Sequence, residues 1–217
     1  MIKAIIFDMD GLLIDSEPIW QEAEGTVLGN LGVRFAPPEL RQTMGLKVTE
    51  VVQFWYARQP WENLSIEKTA TDIMDTVVSL VKSKGTAMPG VRHALDVCKE
   101  TGLPMAIASG SFFRVIEAVL EKLGIKNEFS VIYSAEHEPY GKPHPGVYIT
   151  AANKLDVAPE CCLAFEDSPN GVLSAKAARM KCVTVPDVHV KSDKRFLIAD
   201  LRLASLDELT IEQLSSL

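Results

Sequence analysis

Apolar positions along the chain recur with two different periods. Ala4-Ile5-Ile6-Phe7 is apolar on both faces and stops abruptly at Asp8-Met9-Asp10-Gly11. A short run of this kind predicts a strand buried in a parallel sheet. After Asp15 the period lengthens. Ser16 stands where an N-cap belongs, ahead of a helix from Glu17 to about Leu31. Its predicted buried stripe is Ile19, Trp20, Ala23, Val27 and Leu31. Gly25 and Gly29 each weaken that helix by roughly 1 kcal/mol relative to alanine, so packing must hold it. Pro37-Pro38 opens a second, short helix that Gly45 ends. Val48, Val51, Val52, Trp55 and Tyr56 recur at i, i+3, i+4, i+7 and i+8, one face of a third helix, and Pro60 stops it. Ser65 caps a fourth, with Ile66, Ala70, Ile73, Val77, Leu80 and Val81 on one side and Gly85 at its end.

From Pro89 onward, strands and helices alternate. Val91, Ala94, Leu95 and Cys98 mark a helix closed by Gly102. Pro104 to Ala108 is a strand ending at Ser109-Gly110-Ser111, followed by a helix with Phe113, Ile116, Val119, Leu120 and Leu123 inward. Val131-Ile132-Tyr133 is a third strand. The loop from Glu136 to Pro145, which contains Lys142, leads into a helix carrying Val147, Tyr148, Ala151, Ala152 and Leu155. Cys161 to Phe165 is a fourth strand, and it ends, like the first, in paired carboxylates, Glu166-Asp167. A helix to Met180 and a strand from Cys182 to Val185 complete the series. Alternation of this kind implies an α/β fold, a doubly wound parallel sheet with right-handed crossovers. The helices of residues 17–81 interrupt it directly after the first strand. The expected organisation is a discontinuous core of residues 1–16 and 82–217 with an inserted four-helix domain at 17–81, placed to work as a lid.

A length of 217 residues suits one domain carrying an insertion. The net charge of -7 argues against nucleic-acid or acidic-membrane partners. No apolar run reaches membrane-spanning length, and Met1-Ile2-Lys3 leads into the first strand without room for a signal peptide. Cys98, Cys161, Cys162 and Cys182 lie in apolar patterns without metal-ligand spacing, so they read as reduced core residues. A cytoplasmic protein, monomeric and acting on a small molecule, is the expectation.

The chemistry gathers at strand ends, which share one rim in such a sheet. Asp8 and Asp10 follow the first strand, Ser109 the second, Lys142 the third, and Glu166 with Asp167 the fourth. Singly, each has a plain structural reading. Asp8 and Asp10 begin a turn, Ser109 caps a helix, Lys142 is solvated, and Glu166-Asp167 is an N-cap pair. Jointly they suit different work. Crowded carboxylates favour a hard cation such as Mg2+, and a lysine with a hydroxyl supplies the donors a phosphate needs.

In this order the residues resemble the four motifs of the haloacid-dehalogenase-like phosphatase superfamily, in the subclass with a helical cap. Asp8-Met9-Asp10-Gly11 with Asp15-Ser16 is similar to motif I, Ser109 to motif II, Lys142 to motif III and Glu166-Asp167-Ser168 to motif IV. The match spans nearly the whole chain and implies a Rossmann-like core. It also implies that Asp8 is a nucleophile forming an aspartyl-phosphate, and that Asp10 protonates the leaving group and then deprotonates water. Lys142, Ser109 and the adjoining Gly110 would hold the phosphoryl group. Mg2+ would sit on the carboxylates of Asp8 and Asp167 and the backbone carbonyl of Asp10, with Glu166 in or beside the coordination shell. Phe54 to Trp61, Leu12 to Pro18 and Met44 to Lys47 resemble the bacterial 2-deoxyglucose-6-phosphate, or hexitol phosphate, phosphatases. That branch implies a hexose 6-phosphate type of ester, with Glu17, Gly45, Leu46 and Lys47 as candidate substrate contacts. Glu17 and Lys47 equally suit a plain surface role. A β-phosphoglucomutase-like phosphomutase is the nearest alternative, but such enzymes carry a histidine in the stretch where this chain has Trp20. A phosphonate hydrolase fits less well, since those enzymes have a small residue in place of Asp10.

Overall fold

The structure is a computed structural model, and it describes residues 1–43 and 46–217. Strands Ala4–Phe7 (β1), Met105–Ser109 (β2), Val131–Ser134 (β3), Cys162–Glu166 (β4), Lys181–Thr184 (β5) and Leu201–Arg202 (β6) form one sheet in the order β3-β2-β1-β4-β5-β6. All neighbouring pairs are parallel. β1 lies inside the sheet, which is why every one of its residues is apolar and buried. Phe7 pairs in register with Ile107 on one side and Phe165 on the other. That register brings the residues after Phe7, Ile107 and Phe165 to the same rim.

One face of the sheet is lined by residues two apart along each strand: Ala4 and Ile6, Ala106 and Ala108, Cys162 and Ala164. The alanines and Cys162 among them are small and leave space for the helices Gly146–Lys154 (α6, after α1 Glu17–Asn30, α2 Val48–Arg58, α3 Ile66–Lys84, α4 Val91–Glu100 and α5 Phe113–Leu123) and Pro169–Ala177 (α7). Tyr148, Ala151 and Ala152 of α6 and Val172 and Ala175 of α7 fill that side. A final helix, Ile211–Ser216 (α8), closes the chain. Among the described residues no helix is long and apolar enough to cross a membrane.

The chain divides into two compact units, residues 1–15 with 86–217, and residues 16–85. The second contains α1, a 3-10 helix at Pro37–Thr43, α2 and α3. The expected second helix is therefore a 3-10 segment. α3 runs on to Lys84 before Gly85, past the expected boundary at 81. Its start is as expected, with the Ser65 side chain accepting from the Lys68 N–H. Ser16 is different. It occupies the N-cap position of α1 in a helical conformation, and its side chain makes no capping bond. The stripe of α1 is also rotated from expectation. Ile19, Ala23, Glu24 and Leu28 are buried, whereas Trp20, Val27 and Leu31 are half-buried.

Glu24 is the exception in that apolar stripe. Its contact with Thr43 is weak: the Thr43 hydroxyl donates to Oε2 over 3.4 Å. Burial pushes the carboxyl up to about 7, against an ordinary value of 4.5, and the Thr43 bond offsets only part of this. A folded-state pKa above the unfolded one makes ionisation a cost of folding. That cost is absent below the unfolded value, grows as pH rises between the two, and is complete above the folded value. Stability of the helical unit should therefore fall by on the order of 2–3 kcal/mol between pH 4.5 and 8, at about 1.4 kcal/mol per pK unit. Glu24→Gln should flatten that slope in urea unfolding followed at several pH values. An unchanged slope in the variant would assign the dependence to other groups.

Candidate active site

Asp8 continues the line of β1, with its N–H donating to the Phe165 carbonyl at 3.0 Å. The chain leaves the strand immediately afterwards. The N–H groups of Leu12, Leu13 and Ile14 all turn back to the Met9 carbonyl, and Gly11 adopts φ 72°. Asp10 is thus presented from a tight turn.

The six core residues singled out in the sequence meet at this rim. Lys142, from the loop before α6, donates from Nζ to Asp8 Oδ1 at 2.7 Å and to Glu166 Oε1 at 2.6 Å. Glu166 ends β4, Asp167 follows it, and both are buried. Ser109 ends β2, fully buried, with its Oγ 3.4 Å from Asp10 Oδ2. Gly110 beside it is exposed.

Two residues that were not among the sequence candidates also enter the site. Tyr148 sat in the apolar stripe of a helix and signalled only core. It is fully buried, but its hydroxyl donates to Glu166 Oε1 at 2.6 Å and accepts from Lys142 Nζ at 3.3 Å. The ammonium also lies 4.7 Å from the Tyr148 ring centroid, within cation–π range. Ser111 donates from Oγ to Asp10 Oδ2 at 2.7 Å. The string Ser109-Gly110-Ser111 carried the only hint of that, two hydroxyls flanking a glycine at a strand end.

The electrostatics are unbalanced. Burial pushes the Asp8 carboxyl up to about 7; Lys142 opposes this, while Glu166 and Asp10 add to it. Asp167 is raised well above the carboxylate range by burial first, then by Asp8 and Glu166. Burial alone would lower the lysine. The carboxylates of Asp8 and Glu166 overcome it and hold Lys142 above its usual range, as a cation. One cation thus faces several carboxylates, and ligand oxygens of Asp8, Glu166 and Asp167 lie within 4.8 Å of one another. Three hard oxygen donors with a deficit of positive charge fit a divalent cation such as Mg2+. Glu166 is the least available of the three. Its Oε1 is taken by Lys142 and Tyr148, and its Oε2 accepts from the Ser168 hydroxyl at 3.2 Å.

The remaining candidates belong to the helical unit. Glu17 is half-buried in the first turn of α1 and accepts from Gln21 Nε2 at 2.7 Å. Lys47 precedes α2, where its backbone N–H donates to Glu50 Oε2 at 2.9 Å, and Leu46 is exposed. Gly45 lies outside the described residues.

Known proteins resemble the chain throughout its length. Residues 2–179 match the family model described as haloacid dehalogenase-like hydrolase. Hexitol phosphatase B of Escherichia coli is 46% identical over 214 residues, covering 98% of this chain and 96% of that protein. A phosphorylated carbohydrates phosphatase of Thermotoga maritima is 30% identical, covering 91% of this chain and 90% of that protein. Among solved structures, a β-phosphoglucomutase from Clostridium difficile superposes with a TM-score of 0.84 at 25% identity, covering 100% of this chain and 96% of that one.

Proposed function

The chain belongs to the haloacid dehalogenase-like hydrolase family and is a phosphatase of the sugar-phosphate kind, and we propose that it hydrolyses hexitol and hexose 6-phosphates through an aspartyl-phosphate on Asp8. The observation that carries this reading is the pairing of Asp8 with Asp10 beside the cationic Lys142, at 2.7 Å from Asp8. In the first step an Asp8 oxygen attacks phosphorus. The bond from phosphorus to the sugar oxygen breaks, and Asp10 gives its proton to the departing alkoxide. In the second step Asp10 takes a proton from water, the water oxygen bonds to phosphorus, and the acyl-phosphate bond breaks to return Asp8 and release phosphate. Lys142, Ser109 and the Gly110 backbone hold the phosphoryl oxygens, since phosphoryl transfer depends chiefly on positioning and charge.

The carboxylates of Asp8 and Asp167 and the backbone carbonyl of Asp10 would hold Mg2+, with Glu166 tethering Lys142 from behind. The ion would neutralise charge shared between the nucleophile and the phosphoryl oxygens. Gly11 supports this placement, because a Cβ there would lie 2.1 Å from Asp167 Oδ2. The helical unit acts as the specificity cap, and Glu17, Gly45, Leu46 and Lys47 are its proposed sugar contacts.

A phosphomutase shares the same first step, so the core motifs do not separate the two. Trp20, in the stretch where the mutases carry a histidine, and the 46% identity to a hexitol phosphatase favour hydrolysis. The test is phosphate release from sorbitol, mannitol and 2-deoxyglucose 6-phosphates, with Mg2+, with EDTA, and with Mg2+ restored. Release should disappear with EDTA and return with Mg2+. In a parallel arm, β-glucose 1-phosphate with a trace of glucose 1,6-bisphosphate should yield phosphate and no accumulating glucose 6-phosphate. Glucose 6-phosphate outpacing phosphate would make the enzyme a mutase, and full activity in EDTA would remove the metal from the mechanism.

A further inference from the structure

Two serine hydroxyls approach Asp10 Oδ2, and they are unequal. Ser111 Oγ reaches Asp10 Oδ2 at 2.7 Å, whereas Ser109 Oγ stands at 3.4 Å. The shorter distance is that of a well-formed O–H···O hydrogen bond, and the longer one is at the limit of a hydrogen bond. The Ser109 Oγ also accepts the Ser111 N–H at 3.0 Å, which holds the Ser111 backbone at the end of β2. The other side of Ser111 is fixed as well. Its carbonyl accepts from Ser134 Oγ at 2.6 Å, and Ser134 is buried at the end of β3. The Ser111 backbone is therefore gripped by side chains from two strand ends, and its hydroxyl is aimed from a rigid base.

We propose that Ser111 is a positioning residue for Asp10, fixing the carboxylate from which the leaving group is protonated; this rests on the acid–base reading of Asp10 given above. Asp10 sits on a turn, not inside a strand, so its backbone alone does not fix its side chain. Proton transfer needs the acid within hydrogen-bond reach of the departing oxygen, and small misplacements are costly. The Ser111 hydroxyl keeps its own proton throughout. It donates to Oδ2 whether or not the carboxyl carries a proton, so it selects an orientation and takes no part in the bond changes.

The consequence is specific to the leaving group. A sugar or hexitol alkoxide needs protonation as it departs, and p-nitrophenolate needs little. In single-turnover experiments with Mg2+ and enzyme in excess, Ser111→Ala should slow hexitol release from sorbitol 6-phosphate on the order of ten-fold. Release of p-nitrophenol should change by less than about two-fold. Ser111→Thr keeps the hydroxyl and should restore most of the hexitol rate. On an Asp10→Asn background, Ser111→Ala should add almost nothing, as expected for a residue acting through Asp10. Equal slowing of both esters by Ser111→Ala, or a full further loss on the Asp10→Asn background, would overturn the proposal and leave Ser111 a support of the phosphate site. The two levels separate cleanly. If Asp10→Asn discriminates between the esters and Ser111→Ala does not, only the positioning role fails. If Asp10→Asn itself shows no discrimination, the acid role fails and the proposal falls with it.

Discussion

Asp8→Asn should abolish turnover of every phosphate ester while leaving the core as stable as before, or more so, in metal-free buffer. The activity loss follows from chemistry. A carboxylate oxygen attacks phosphorus and departs again as a carboxylate, whereas an amide does neither. The loss should be roughly 10^4-fold or more and should not depend on the leaving group, unlike that of Asp10→Asn. The stability effect has the opposite sign. Burial holds the Asp8 carboxyl up to about 7 in the folded chain, against an ordinary 3.8. Its ionised form is thus a cost of folding, absent below the ordinary value and complete above the folded one. An isosteric amide carries no such cost, and Lys142 keeps its 2.6 Å bond to Glu166. With EDTA present at pH 8, the variant should melt at or above the wild-type temperature. Added Mg2+ should then stabilise the wild type more than the variant, which has lost a charged ligand. Burst-free kinetics together with paired melting curves check both halves. Residual activity at a tenth of wild type would remove Asp8 as nucleophile, and a variant several degrees less stable in EDTA would show that its charge is favourable where it stands.

Much of this arrangement was legible because the information is local. The apolar run Ala4–Phe7 reads as a buried central strand, and its carboxylates stand out since nothing else in the run is polar. The bounds of α2, Val48–Arg58, follow from periodicity and the stop at Pro60. What escaped depends on partners distant in sequence. β6 is two residues long, Leu201–Arg202, too short for any period. Tyr148 is spaced like a core residue and is one, but its hydroxyl is 18 residues in sequence from the Glu166 carboxylate it meets. Glu24 breaks the apolar stripe of α1, so a reading by stripe put Trp20 and Val27 inside in its place. For Tyr148 and Glu24 the backbone pattern was visible and the tertiary partner was not.

Gly11→Ala should weaken Mg2+ activation by at least ten-fold, as disruption of a ligand's support commonly does, and should lower stability as well. The two effects have separate origins. Gly11 adopts φ 72°, a left-handed conformation that costs other residues about 1–2 kcal/mol. That part is felt with or without metal. The second part is steric and local. A Cβ at this position would lie 2.1 Å from Asp167 Oδ2 and 3.0 Å from its Cγ. The first distance is well inside any real contact and the second is tight, so the Asp167 carboxylate must move. Its main chain has little freedom to follow, because the Asp167 carbonyl accepts the Asp187 N–H at 3.0 Å and the residue directly follows β4. The side chain therefore rotates away from the oxygens of Asp8 and Glu166 with which it clusters within 4.8 Å. A cation site built on those oxygens loses one donor, while Asp8, Lys142 and Asp10 keep their covalent identity. The signature is a shift in the Mg2+ concentration giving half-maximal activity, with partial recovery of kcat at saturating metal. Phosphate release and melting temperature measured across a Mg2+ titration would read both terms at once. A variant that loses stability but keeps the wild-type Mg2+ midpoint would place the ion away from Asp167.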